Sequence, residues 1–215
     1  MKCGVKQVLN VTLVLFILSF FCAAAFGQSD NRVSIEKMYA FALKELPQIL
    51  EFMPLNNEDR YGFNNRDEFK RARLGIPYQE YSMQTEEPTG YWRVPVTVDG
   101  ENRALLRLTR VDGEWKFAGF GGAGLAMELG ALEREEGRAK PSGGRIIRDF
   151  EMSCDYVQFD RAPGSKPEGL VIPMESASRV LLDLGIADSI GADGLPLWKI
   201  KECRSMVLRP PVEEQ

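Results

Sequence analysis

The stretch that most constrains the fold runs from Gly90 to Gly122, GYWRVPVTVDGENRALLRLTRVDGEWKFAGFGG. Two Asp-Gly pairs, Asp99-Gly100 and Asp112-Gly113, interrupt residues that otherwise alternate between apolar and polar. Tight hairpin turns need positive φ, which Gly adopts freely and Asp tolerates, so the stretch predicts three antiparallel strands. A two-residue loop at Asp112-Gly113 sets Leu108 opposite Phe117 and Arg110 opposite Trp115. At the first turn the hydrophobic pattern selects a three-residue loop, which pairs Trp92 with Leu108, Val94 with Leu106 and Val96 with Ala104. A two-residue loop there would set Val96 against Arg103 and Trp92 against Arg107. Side chains alternate across a sheet, so the chosen registers gather Trp92, Val94, Val96, Ala104, Leu106, Leu108, Trp115 and Phe117 on one face. That face needs a cover.

The reverse face carries Tyr91, Arg93, Thr97, Arg103, Leu105, Arg107, Thr109 and Lys116, with Arg93 directly across from Arg107. Like charges opposed across strands destabilise a sheet unless something negative lies between them. One source of negative charge is a strand over Arg145–Asp160 that joins the sheet and presents Asp149, Glu151 and Asp155. Paired strands of opposite charge are ordinary sheet stabilisation, and this is the simpler reading. The other is a ligand, an anionic small molecule, glycan or acidic peptide, held at Tyr91, Arg93, Arg103, Arg107 and Lys116.

Lys2 and Lys6, the apolar run Val11–Phe21 and the small residues Ala23–Gly27 have the order of a secretory signal peptide, with cleavage expected near Gly27. The apolar run is short for a span of about 20 residues, so no transmembrane segment is expected in the mature chain. Export places the protein in the periplasm or outside the cell. The formal net charge is −4, and removing the leader takes away two lysines and no acid. Such a chain is a poor partner for nucleic acid or an anionic membrane surface. Cys3 and Cys22 leave with the leader, and Cys154 and Cys203 are expected to form one disulfide in an oxidising compartment.

Ile35, Met38, Phe41, Ala42 and Ile49 recur at helical spacing after Ser34, a natural cap, while Leu43, Leu46 and Leu50 widen a stripe that supplies the cover for the apolar face. Pro47 predicts a kink or fresh start there. A short helix over 66–74, a strand over 78–83 and a helix over 123–136 complete a core expected to span residues 28–140. A strand at 145–160, another at 170–173 and helices at 176–184 and from 197 form an extension over 145–215, packed on that core.

Two motifs invite over-reading. Asn57, Asp59 and Glu68 fall at positions 1, 3 and 12 of an EF-hand-like loop, but Tyr61 at position 5 and Asn64 at position 8 leave a weak calcium site. The simpler reading makes Asn65 a helix cap answered by Glu68. Gly119-Phe120-Gly121-Gly122-Ala123-Gly124 satisfies GxGxxG, yet it follows an antiparallel alternating strand and no βαβ unit succeeds it. No cofactor is implied. What survives is a tight turn into a helix whose free N–H groups can hold an anion.

The chain contains no histidine. This excludes Ser-His-Asp and Cys-His chemistry and zinc sites built on imidazole. Carboxylates at Asp149, Glu151 and Asp155 leave a carboxylate-dependent hydrolase of envelope material as the enzymatic alternative to a binding role, and a structural envelope role as a third. The expected class is α+β: an antiparallel meander of four or more strands covered on one face by helices, with a C-terminal strand-helix extension. Helix followed by meander resembles the cystatin-like and NTF2-like layouts, which host inhibitors, binding modules and enzymes alike.

Overall fold

Asp99 and Asp112 adopt φ of 53° and 52°, and Gly100 and Gly113 follow at 86° and 83°. Both Asp-Gly pairs are thus two-residue turns of the mirror-image kind that matches strand twist. The computed structural model describes residues 34–135, 144–159, 170–183, 185 and 194–207. The turns join β3 (Pro88–Val98), β4 (Glu101–Val111) and β5 (Glu114–Gly121). Before them lie β1 (Arg73–Leu74) and β2 (Tyr78–Ser82); after them come β6 (Gly144–Asp149), β7 (Cys154–Phe159), β8 (Leu170–Pro173) and β9 (Leu195–Pro196). The strand order is β5-β4-β3-β2-β6-β7-β8-β9, with β1 beside β3. Among the described residues only the β2–β6 pairing is parallel. The protein is α+β, and its described residues form a mixed sheet of nine strands.

The expected registers hold: Trp92 opposes Leu108, Val94 opposes Leu106, Val96 opposes Ala104, and Leu108 opposes Phe117. The device at the first turn differs from the expected longer loop. Val98 opposes Glu101 and Thr97 opposes Asn102, then the register shifts so that Val96 meets Ala104. Arg103 is the extra residue, so a β-bulge corrects the facing instead of a third loop residue. Pro95 is not on an edge. Its carbonyl accepts from the Gly75 N–H at 2.7 Å, in the break between β1 and β2. The N of a strand residue points to the same side as its C=O, so the missing donor falls in that break and the β3–β4 ladder loses nothing.

Residues 145–160 form a hairpin instead of one strand. Asp149 ends β6, and its Oδ1 accepts from the N–H groups of Glu151 and Met152 at 3.0 and 3.1 Å, shaping a turn in which Ser153 has φ of 53°. The C-terminal segment is also not an appendage: β6 pairs directly with β2, so Gly144 onward completes the same sheet.

Helices lie on both faces rather than one. On the face of Leu105, helix α2 (Ala123–Glu135) packs Ala126 and Leu129 into a cluster with Tyr78, Ile146, Val157, Phe159 and Met174. Its Glu133 accepts from the Tyr78 hydroxyl at 2.6 Å and from Asn102 Nδ2 at 3.1 Å, so this acid docks the helix instead of facing solvent. On the other face, α3 (Glu175–Asp183) and α4 (Leu197–Val207) bring Ala177, Leu181 and Ile200 against Ile147, Cys154, Tyr156 and Val171.

The chain divides into two compact units, residues 1–44 and 45–215. Helix α1, residues 34–51, runs through Pro47 without a fresh start. Met38, Ala42, Leu46 and Leu50 recur every four residues along it and are all buried. The expected signal peptide lies outside the described residues. Among the described residues no helix is long and apolar enough to cross a membrane.

Candidate functional site

Arg93 and Arg107 face each other across β3 and β4, as the register requires. The negative charge between them comes from Glu80 of β2, a fully buried residue absent from the sequence-based candidates. Glu80 Oε2 accepts from Arg93 Nε at 2.7 Å, with Arg93 Nη2 at the same distance. Its Oε1 accepts from Arg107 Nη2 at 2.9 Å and from the Thr89 hydroxyl at 3.1 Å. Arg93 Nη2 also lies 3.5 Å from Asp155, whose carboxylate is held by Arg148 at 3.1 Å. A row of alternating charge thus crosses the sheet from Arg107 to Arg148.

Burial alone would raise the Glu80 pKa, but the Arg93 charge and hydrogen bond, the Arg107 charge and the Thr89 hydroxyl outweigh it and hold the carboxyl below its ordinary value. Glu128 of α2 behaves oppositely. Burial pushes it above its ordinary value, and the carboxylates of Glu175 and Asp155 add to burial against a hydrogen bond from the Glu175 N–H.

Of the five sequence-predicted ligand residues, three come together. The Arg107 guanidinium carbon sits 3.7 Å from the centroid of the Tyr91 ring, and Arg93 lies beside it. Arg103 is carried away by the bulge and pairs instead with Glu68 at 3.4 Å and Glu101 at 3.1 Å. Lys116 is exposed at the β5 edge, opposite Thr109. Of the expected neutralising acids Asp155 reaches the row. Asp149 is engaged by its own turn and by Gln84 at 2.7 Å, and Glu151 sits exposed in that turn.

Beside the row lies a cavity of about 230 Å³. Arg93 and Arg107 line it on β3 and β4, and the end of β5 from Gly119, then Gly122 and Leu125 in the first turn of α2, complete its wall. Among the described residues no carboxylate lines it. The Arg107 side chain retains 37% of its exposure, and its Nε is buried with no hydrogen-bond partner among the described residues. A buried donor of this kind normally signals a water or a bound group.

The EF-hand-like spacing leads elsewhere. Asn65 caps a short 3-10 helix, Arg66–Arg71, by accepting from the Asp67 N–H, while Glu68 accepts from the Asn64 backbone and side chain at 2.8 Å each. Among the described residues no three carboxylate or thiol side chains converge on one point. Cys154 corrects the disulfide expectation: it is a free, buried thiol whose Sγ lies 3.8 Å from the Tyr156 hydroxyl, and burial raises its pKa. The Cys203 side chain lies outside the described residues. Compared with known protein families, curated proteins and solved structures, the chain matches none.

Proposed function

We propose that this protein is exported and works by binding a small anion, with no catalytic step, in the cavity between Arg107 and the start of α2. The observation that carries the reading is the composition of that cavity: two guanidinium groups, glycine backbone and, among the described residues, no acid in its wall. Backbone N–H groups at a helix start add partial positive charge on the opposite side. A volume of about 230 Å³ suits a phosphate, a short carboxylic acid or the terminal carboxylate of an acidic peptide better than a glycan. Arg107 offers the planar donor set such groups take, and the Tyr91 ring holds it in place.

The hydrolase alternative draws no support from Glu80, whose two oxygens are taken by Arg93, Arg107 and Thr89 and whose lowered pKa unsuits it as an acid. The cystatin-like or NTF2-like likeness remains one of helix-then-meander order, and carries no function of its own. Calorimetric titration with phosphate, sulfate, acetate and succinate, repeated on Arg107→Gln, tests the proposal. Binding of at least one anion by the parent, weakened about tenfold or more in the variant, is expected for loss of a charged hydrogen bond. Absence of heat for every anion would sink it and leave a structural role for the row.

A further inference from the structure

Behind the proposed anion site, β5 separates a second cavity of different chemistry. It measures about 510 Å³ and is lined by Ile49, Phe52, Tyr61, Phe117 and Phe120, with Glu45 as its sole charged residue among the described ones. Gly119 and Phe120 line both cavities, one on each side of the edge strand. The back wall is fixed by packing: Tyr61 stacks on Phe120 with centroids 5.9 Å apart and planes inclined at 26°, and Phe63, itself buried, stacks on Phe120 from 6.3 Å. The mouth is open, with Phe52 84% and Phe117 45% exposed. Glu45 is half-buried, and among the described residues it has no ion pair.

These features select a ligand. The volume lies within the range of small-molecule sites, and four aromatic side chains offer apolar contact and electron-rich ring faces. A carboxylate in such a pocket repels anions, and among the described residues no cation pairs with it. We propose that this cavity binds a small organic cation, an ammonium group on an apolar body, with the ammonium at Glu45 and the body against Phe52, Phe117 and Phe120. Ring quadrupoles and the carboxylate act on the same charge, so selectivity for a cation over an equally large neutral molecule results. The site is independent of the anion cavity, which lies on the opposite side of β5 and attracts the opposite charge.

Three probes of one body and different charge test this: 4-phenylbutylamine, 4-phenylbutanol and 4-phenylbutyrate, titrated calorimetrically into the full chain at neutral pH and low salt. The amine is expected to bind about tenfold more tightly than the alcohol, the magnitude of a partly desolvated cation–π contact with an ion pair. The butyrate should be weakest at this cavity, and Arg107→Gln removes its competing binding at the other. Glu45→Gln is expected to bring the amine to the affinity of the alcohol while leaving the alcohol unchanged. Phe117→Ala, at an exposed position that the fold does not require, should weaken both amine and alcohol. The proposal is overturned if no probe binds, if the alcohol binds as well as the amine, or if Glu45→Gln leaves their ratio unchanged. Sedimentation showing a dimer that dissociates in Phe52→Ser would likewise overturn it, by assigning the face to a second copy of the chain.

Discussion

Glu80 is the residue on which the sheet's charge balance turns. It is fully buried and answers two guanidinium groups that the strand register forces together. Breaking a buried ion pair from one side leaves the other charge unsolvated and unpaired, at a cost of roughly 3–5 kcal/mol. Arg93→Met should therefore lower the urea midpoint far more than Arg107→Gln, because Arg93 is buried while Arg107 keeps contact with water. The same carboxylate makes stability depend on pH. Its folded pKa lies below its unfolded value, as does that of Glu68, so their stabilisation is fully present above the unfolded pKa of about 4.3 and is lost as pH falls through the lower folded values. Urea titrations should find Glu80→Gln much less stable than the parent near neutrality, with the gap narrowing as acid protonates the parent. A gap independent of pH would mean that shape, not charge, sets the effect. Cys154 supplies a separate residue-scale test. Being a buried thiol with a raised pKa, it should resist iodoacetamide in the native protein and react in urea without reductant. Failure to react until reductant is added would restore the disulfide.

Close approach decides the elements at the helix-to-sheet junction. Gly62 follows a 3-10 turn, Asp59–Tyr61, with φ of 85°, and a Cβ there would lie 2.1 Å from the Arg103 carbonyl oxygen and 3.0 Å from the Ala123 side chain. The loop, the β4 bulge and the start of α2 meet at this one point. Gly62→Ala combines positive-φ strain with a backbone clash, so a loss of about 2 kcal/mol or more is expected in chemical denaturation. Gly113→Ala, with similar φ and open space around its Cβ, is the control and should cost less. The meander was legible beforehand because two Asp-Gly turns and a strict apolar alternation over-determine its registers. The bulge at Arg103 was not, since a bulge and a longer loop correct facing equally well and only backbone geometry separates them. Glu80 escaped notice for a related reason. One acid in an unremarkable strand, YQEYS, gains its meaning from β2 lying beside β3, and a single sequence does not say which strands are neighbours. Residues 145–160 are acid-rich in composition, yet a hairpin turn engages Asp149, and Asp155 faces the row.

The molecule as a whole depends on one parallel pairing. By sequence the core ends near residue 140 and the later residues form an extension, because Gly137–Gly144 separates them and they repeat the strand-helix pattern. The topology gives those residues a different part. β6 inserts beside β2, and Ile146, Val157, Phe159 and Met174 complete the cluster that Tyr78, Leu105 and Leu129 begin. Without them β2 would be an unpaired edge, Tyr78 would lose its edge-on contact with Phe159, and the Arg93 row would lose Asp155. A chain comprising residues 28–143 should accordingly fail to fold cooperatively, despite retaining α1, the meander and α2. Each large apolar side chain stripped of its burial forfeits about 1.5–3 kcal/mol, so exposing Tyr78, Leu105 and Leu129 together would consume much of the net stability of an ordinary domain. Circular dichroism and urea unfolding of the fragment beside residues 28–215 provide the measurement. A broad, non-cooperative transition and amide protons that exchange freely in β2 are expected. A sharp transition with native-like exchange protection in β2 would show instead that the meander and its helices stand alone, and that the C-terminal strands are an addition to a finished domain.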